Sequence, residues 1–142
     1  MMRHARDVMT PNPACCTPET PLDQVAKMMV QSDCGEIPVI DGAERPIGVV
    51  TDRDIVCRVV AEGRNPMAYT AQICMTTPVV TVPASATLDE VIDTMEKSQV
   101  RRVPVVDESG RCAGIIAQAD IARGAAAKGE VADLMREVSR ET

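Results

Sequence analysis

Gly48-Val49-Val50-Thr51-Asp52-Arg53-Asp54-Ile55 decides the reading of this chain, because it returns 66 residues later as Gly114-Ile115-Ile116-Ala117-Gln118-Ala119-Asp120-Ile121. Extended outward at that offset, Met9–Ile55 lies on Met75–Ile121 without a gap, and 14 of the 47 aligned pairs are identical. Random chains of this composition give roughly three or four identities, so the sequence is an internal duplication. The identical pairs include Met9/Met75, Thr10/Thr76, Pro38/Pro104, Gly48/Gly114 and Asp54/Asp120.

Each copy predicts the order strand–helix–strand–strand–helix. A helix opens at Thr20-Pro21 and again near Ala86-Thr87, where a hydroxyl can cap and Asp23 or Asp89 suits the first turn. Leu22, Val25, Met28 and Met29, and in the second copy Leu88, Val91, Ile92 and Met95, recur at helical spacing. Strands are expected over 37–41 and 46–51, and over 103–107 and 111–117. The turn-rich Asp41–Glu44 and Asp107–Gly110 make each pair a hairpin. Second helices begin near Asp52 and Gln118, and a short one is expected at Val131–Val138. The fold class is α+β, with one copy over residues 1–66, a second over 67–128 and a tail over 129–142. A copy of about 55–60 residues buries little core alone, so the two copies are expected to share one.

Composition narrows the partners. Of 142 residues 45% are hydrophobic, with 19 Val and 9 Ile against 3 Leu, a bias that suits strands. Tyr69 is the one aromatic and the net charge is −6. Base-stacking platforms need rings and phosphate-backbone binding needs cationic surface, so nucleic acid is excluded as a partner. The start of the sequence lacks the apolar run of a signal peptide, which leads to the expectation of a cytoplasmic protein. The charge-free stretch Asn65–Leu88 contains Pro66, Pro78 and Pro83 and cannot be a membrane helix. Cys15, Cys16, Cys34, Cys57, Cys74 and Cys112 have no C-x-x-C spacing and are read as small buried thiols, with no metal expected.

Candidate chemistry gathers at the repeated junction. Asp54 and Asp120 stand in the first turn of a helix that follows directly on a strand, where side chains point into a crevice. A carboxylate only accepts hydrogen bonds, and a ribose offers two neighbouring hydroxyl donors. Thr51 adds a hydroxyl three residues before Asp54, although a helix dipole favours Asp in a first turn without any ligand. Arg53 and the Arg101-Arg102 pair are candidates for phosphate, since a guanidinium grips it bidentately. The competing reading of the arginine pair is a solvated strand edge. Arg45 and Arg111 fall in the hairpin turns and are read as solvated. Ile37-Pro38-Val39 and Val103-Pro104 offer flat aliphatic walls for a base, with hydrophobic core as the competing role. Met28, Met29 and Met95 are read as core or dimer surface.

The ordered marks resemble a tandem pair of CBS domains, the Bateman module named after cystathionine β-synthase. They are Val8-Met9-Thr10 and Cys74-Met75-Thr76, the hydrophobic-Pro-Val strands Ile37-Pro38-Val39 and Val103-Pro104-Val105, and the Gly-x-x-[Ser/Thr]-x-x-Asp junction Gly48–Asp54. Residues 5 to about 127 are covered, and Gly48–Ile55 is similar to the stand-alone bacterial two-CBS proteins of the hypoxic-response type. The resemblance implies two β-α-β-β-α repeats with pseudo-two-fold symmetry. It implies a non-catalytic sensor that binds AMP, ADP, ATP or NAD in the cleft between them. Asp54 would then hold the ribose, basic residues such as Arg101 and Arg102 would reach phosphate across the central groove, and Asp120 would mark a degenerate second site. It implies further a homodimer through helical faces around Val25–Met29, Val56–Val60 and Val91–Met95, and a separate regulated protein. An enzyme is the weaker reading, since His4 is the only histidine and no nucleophile elbow or G-x-G-x-x-G is present. Two further possibilities are a thiol- or metal-dependent switch on Cys15-Cys16 and Cys34, and a ligand-free stress or scaffold protein.

Overall fold

The computed structural model describes residues 3–126; the expected tail over 129–142 and its helix at Val131–Val138 lie outside them. In chain order the elements are α1 (Ala5–Val8), β1 (Thr10–Pro11), α2 (Leu22–Ser32), β2 (Glu36–Ile40), β3 (Pro46–Thr51) and α3 (Asp52–Ile55). Then come β4 (Val82–Pro83), α4 (Leu88–Ser98), β5 (Arg102–Val106), β6 (Cys112–Ala117) and α5 (Gln118–Ala126). α3 runs on into a π-helical turn at Val56–Val60, and two 3₁₀ turns, Pro66–Ala68 and Ala71–Ile73, follow it. The mixed helix and strand content is the expected α+β class.

Two compact units form, but they do not follow the duplication. One is Pro13–Val79; the other joins the residues up to Asn12 to those from Val80. The expected division at residue 66 separates the copies along the sequence, whereas the units divide after residues 12 and 79. Backbone pairing explains the shift. In each unit an antiparallel hairpin, β2–β3 or β5–β6, forms the centre, with Ile37 opposite Val50 and Val103 opposite Ile116. A bulge interrupts both at the equivalent step, between Val39 and Ile40 and between Val105 and Val106. On one side a parallel neighbour is added: Cys16 to Val39, and β4 to β5 through Val82 and Val105. On the other side an antiparallel one is added: Thr76 to Val49, and β1 to β6 through Thr10 and Ile115. All these partners are 66 residues apart between the units. Val8-Met9-Thr10, which opens the first copy, therefore completes the sheet of the second, and Met75-Thr76 completes that of the first.

Core formation follows the same exchange. The expectation of one shared core is corrected, because each unit has its own buried cluster. One gathers Leu22, Val25, Met29, Ile37, Val39, Val50 and Val59 with Ala71 and Cys74. The other gathers Val82, Val91, Met95, Val103, Val105, Ile116 and Ile121 with Ala5 from α1. Ala5, Ala71 and Cys74 come from the exchanged segments, which supply the apolar surface that a lone copy lacks.

The helices read correctly by period, with two differences. Val25 and Met29 on α2, and Val91 and Met95 on α4, where dimer faces were expected, are buried in the cores of their own units. Of the third expected face, Val56 and Val60 remain more than half exposed, as does Val30 on the far side of α2. Thr87 caps α4, its Oγ1 accepting from Glu90 N–H at 3.2 Å, but α2 starts at Pro21 with no side-chain cap. The Thr20 hydroxyl instead accepts from Thr17 N–H. Both helices end 66 residues apart in a left-handed residue, Asp33 and Gln99, with φ of 50° and 53°. There the Met29 and Met95 carbonyls accept from Cys34 and Val100 N–H, both at 3.0 Å.

Hairpin turns are held by their aspartates. Asp41 Oδ1 accepts from the N–H groups of Ala43 and Arg45, and Asp107 Oδ1 from those of Ser109 and Arg111. Arg45 and Arg111 also pair their guanidinium groups with these carboxylates. The amide of Arg45 or Arg111 is the largest cause holding each carboxyl below its usual range. Their contribution is present above the ordinary carboxylate pKa and is lost as the pH falls through the lower folded value.

Gly114 makes the exchange possible on β6. A Cβ there would meet Met9 and come within 2.9 Å of the Thr10 carbonyl oxygen, which the β1 pairing holds in place. Gly114→Ala is expected to destabilise by about 1–3 kcal/mol in urea unfolding. Gly42→Ala, in a turn with nothing within 4 Å, keeps the wild-type midpoint. Equal midpoints for both variants would contradict the close approach of β1.

Candidate functional site

The repeated junction is built by a strand running straight into a helix. Thr51 is the last residue of β3, extended at φ −105° and ψ 161°, and the helix begins at Asp52. Its Oγ1 accepts from Asp54 N–H at 3.0 Å, and Asp54 Oδ2 accepts from Thr51 N–H at 2.9 Å. This reciprocal cap pins the Asp54 carboxylate at the helix start, where the helix dipole also favours negative charge. Thr76, brought in by the exchanged segment, points its hydroxyl at the same carboxylate, 3.4 Å from Oδ2 and 3.5 Å from Oδ1. The Arg58 guanidinium, one turn on, lies 3.8 Å from Asp54 Oδ1 and donates to the Cys74 carbonyl oxygen at 3.4 Å.

The second unit repeats half of this. Asp120 Oδ2 accepts from Ala117 N–H at 2.8 Å, but Ala117 has no hydroxyl to return the bond. Arg123 pairs with Asp120 Oδ1. In both units, then, one carboxylate oxygen is engaged by the strand-end amide and the other faces an arginine. The carboxylate side chains are 13% and 10% exposed, whereas those of Arg58 and Arg123 are 53% and 72% exposed. Fixed acceptors with movable cations beside them are suited to taking hydroxyl donors.

Of the basic candidates, Arg53 is exposed beside Asp54 on α3. Arg102 opens β5 opposite Ala117, and the Arg101 carbonyl accepts from Gln118 N–H at 2.8 Å. Both side chains are exposed, and the pair adjoins the β6–α5 junction that carries Asp120. Ile37, Val39 and Val103 are core residues of their units, since alternation along the strand turns them inward. Pro38 and Pro104 alternate with them on the opposite strand face and are buried as well. Sequence reasoning missed Arg58, Arg123 and Thr76. The i,i+4 and i,i+3 spacings to Asp54 and Asp120 could have revealed the arginines. No local signal points to Thr76, which is 22 residues from Asp54.

Cysteines are mixed in exposure: Cys16 and Cys74 are buried, Cys57 is exposed, and none of the six forms a disulfide. Burial pushes the Cys16 thiol up to about 11. Burial also raises that of Cys74, reinforced by the Asp54 charge and opposed by Arg58. Nucleophilic or ligating chemistry needs the thiolate, which these two sites disfavour.

Fold and junction define a class of protein: the chain belongs to the CBS domain family, whose model matches residues 5–61 and 71–127. Its relatives include hypoxic response protein 1 of Mycobacterium tuberculosis, 38% identical over 122 residues that span 86% of this chain and 85% of that protein. A crystal structure of hypoxic response protein I with two coordinated zinc ions has a TM-score of 0.79, covering 85% of this chain and 98% of that one. The CBS domain pair of protein MJ0100, in complex with 5′-methylthioadenosine and S-adenosyl-L-methionine, is 26% identical with a TM-score of 0.78 and covers 90% and 99% of the two chains. CBSX2 of Arabidopsis thaliana, in complex with AMP, is 26% identical with a TM-score of 0.76 and covers 89% and 98%.

The zinc ions correct one expectation. A metal-free reading does not stand beside a relative that coordinates zinc. Among the described residues no three His, Cys, Asp or Glu side chains converge, and His4 lies 3.7 Å from Asp7.

Two outcomes are expected. Thr51→Ala removes the hydroxyl half of the cap and lowers stability by about 1 kcal/mol, while Thr51→Ser retains it, as read by urea unfolding. With a thiol reagent at pH 8, Cys57 is labelled in the folded protein, whereas Cys16 and Cys74 react only after denaturation. Rapid labelling of Cys16 in the folded state would contradict its burial.

Proposed function

We propose that this chain is a non-catalytic regulatory module that binds an adenosine-containing ligand through the Asp54 carboxylate and passes its state to a separate protein. The observation that carries this reading is the matched placement of Asp54 and Asp120. Both are pinned by one oxygen to a strand-end amide, and the other, which faces an arginine, is the proposed acceptor for a ribose diol. Family members solved with AMP, and with 5′-methylthioadenosine and S-adenosyl-L-methionine, share the adenosine group that such a carboxylate would grasp. Thr51 keeps Asp54 oriented and Thr76 fixes it from the exchanged segment. Asp120, lacking the threonine, serves a weaker second site. In the unit of Asp54, Arg53 is the proposed donor for a phosphorylated tail and Pro38 the wall against which a base rests; in that of Asp120, Arg101 and Arg102 are the donors and Pro104 the wall.

Several features agree with a module rather than an enzyme. The polar groups around Asp54 are carboxylate, hydroxyl, amide and guanidinium, and burial together with the Asp54 charge disfavours the thiolate of nearby Cys74. Among the described residues no helix is long and apolar enough to cross a membrane. Self-association would use exposed apolar positions such as Val56 and Val60 on the π turn. Ligand binding acts by favouring one of the conformations already available to the module, which a partner then reads.

A thermal-unfolding panel of AMP, ADP, ATP, NAD, 5′-methylthioadenosine, S-adenosyl-L-methionine and zinc chloride tests the reading. Wild type and Asp54→Asn are compared, because asparagine retains an acceptor for the Thr51 amide. An adenosine ligand at 100 times its Kd stabilises by about 2.7 kcal/mol. The expected result is an upward shift for wild type that is largely lost in Asp54→Asn. No shift with any adenosine compound, or an equal shift in the variant, would sink the assignment; a shift with zinc alone would favour a metal-dependent module.

A further inference from the structure

The geometry points to Arg58 and Arg123 as latches that select adenosine ligands by the charge of their tail. This rests on the adenosine reading above and adds to it a specificity. Both arginines sit on the helix that carries the ribose carboxylate, and both face the oxygen that the cap leaves over, Oδ1. They are not equivalent in the duplication. Shifted by 66 residues, Arg58 falls on Gly124 and Arg123 falls on Cys57. One reaches its carboxylate from four residues away and the other from three, on a helix that widens to a π turn in the first unit and stays α-helical in the second. The two units therefore differ in where the arginine is attached and agree on the atom it serves.

Oδ2 is held by the strand-end amide in both units, and Thr76 reaches Oδ1 of Asp54 only at 3.5 Å, so Oδ1 offers the accessible lone pairs for a ribose diol. An entering diol must compete there with the arginine. The Arg58 contacts, at 3.4 Å and 3.8 Å and more than half exposed, are of the weak solvated kind that is readily given up. What happens next depends on the ligand. A nucleoside monophosphate brings a dianion next to the Asp54 carboxylate, and the released guanidinium can donate to it bidentately. A neutral or cationic 5′ tail gives the displaced arginine no partner and must overcome its attraction to Asp54 without return. The arginine thus favours an anionic tail over an uncharged one carried by the same adenosine. A plain surface ion pair would leave that preference untouched.

Titration calorimetry at low salt tests this with AMP and 5′-methylthioadenosine on wild type, Arg58→Gln/Arg123→Gln and Arg58→Lys/Arg123→Lys. The expected result is that the glutamine pair weakens AMP at least tenfold while 5′-methylthioadenosine binds as well as before or better. The lysine pair, charged but without the planar fork, is expected to fall between. Arg45→Gln/Arg111→Gln, in the hairpin turns, makes the same change in net charge and leaves the ratio of the two affinities as in wild type. An unchanged ratio in Arg58→Gln/Arg123→Gln overturns the latch while the adenosine reading stands. An equal fall in the hairpin variant also overturns it, since the effect would then be bulk charge. If wild type binds neither compound, the adenosine reading fails and the latch with it.

Discussion

A two-stranded hairpin leaves a row of backbone amides and carbonyls unpaired along each outer edge, and on its own it is marginal in water. In this protein both hairpins are closed by strands of other parts of the sequence, and the antiparallel one is always taken from the segment that introduces the opposite copy. Thr76 pairs with Val49 through mutual N–H···O bonds of 2.8 and 3.2 Å, and Thr10 is paired with Ile115. Much else follows from this exchange. It brings Ala71 and Cys74 into one core and Ala5 into the other, and it makes glycine necessary at position 114, where β1 comes within van der Waals reach of the backbone.

The exchange also shapes the candidate site. The Met-Thr segment delivers Thr76 to the carboxylate of Asp54, so a residue from the start of the second copy becomes part of the chemistry of the first. The cap then divides the labour between two oxygens of one carboxylate: Oδ2 holds the helix to the strand end, while Oδ1 takes the longer contacts of Arg58 and Thr76. Because the acceptor is built into the strand–helix junction rather than a loop, its position is set by backbone hydrogen bonds that would form with or without a ligand. Arginines on long, exposed side chains supply the adjustable part. Rigid acceptor and flexible donor come from different physical requirements, burial for one and solvation for the other.

How much of this could be read beforehand varies with the range of the interaction. α2, α4 and both hairpins came out within one or two residues because their signals, a 3.6-residue apolar period and a turn aspartate, act over a few positions. The Asp54 and Asp120 junctions were found for the same reason, and the repeat doubled the signal. Ile37, Val39 and Val103 were expected to line a base pocket, yet they face the cores, since an apolar strand residue looks the same in sequence whether a ligand or a helix covers it. For the same reason the Val25–Met29 and Val91–Met95 faces were expected at a dimer surface, whereas Val25, Met29, Val91 and Met95 are buried within their own units. Metal was set aside because the cysteine spacing lacks paired motifs, and spacing says little about ligands that converge from distant segments.

By itself the sequence determined that the chain is a duplicated α+β module with a carboxylate at the start of one helix in each copy. Periodicity, turn chemistry and a constant 66-residue offset are local or self-referential, and they survive without knowledge of the fold. Only the tertiary structure decided which segment closes which sheet, that there are two cores rather than one, and that each carboxylate has one engaged oxygen and one facing an arginine. Those outcomes depend on hydrogen bonds and packing among residues up to about a hundred positions apart, as between Thr10 and Ile115, and no local pattern encodes the partner of an open strand edge.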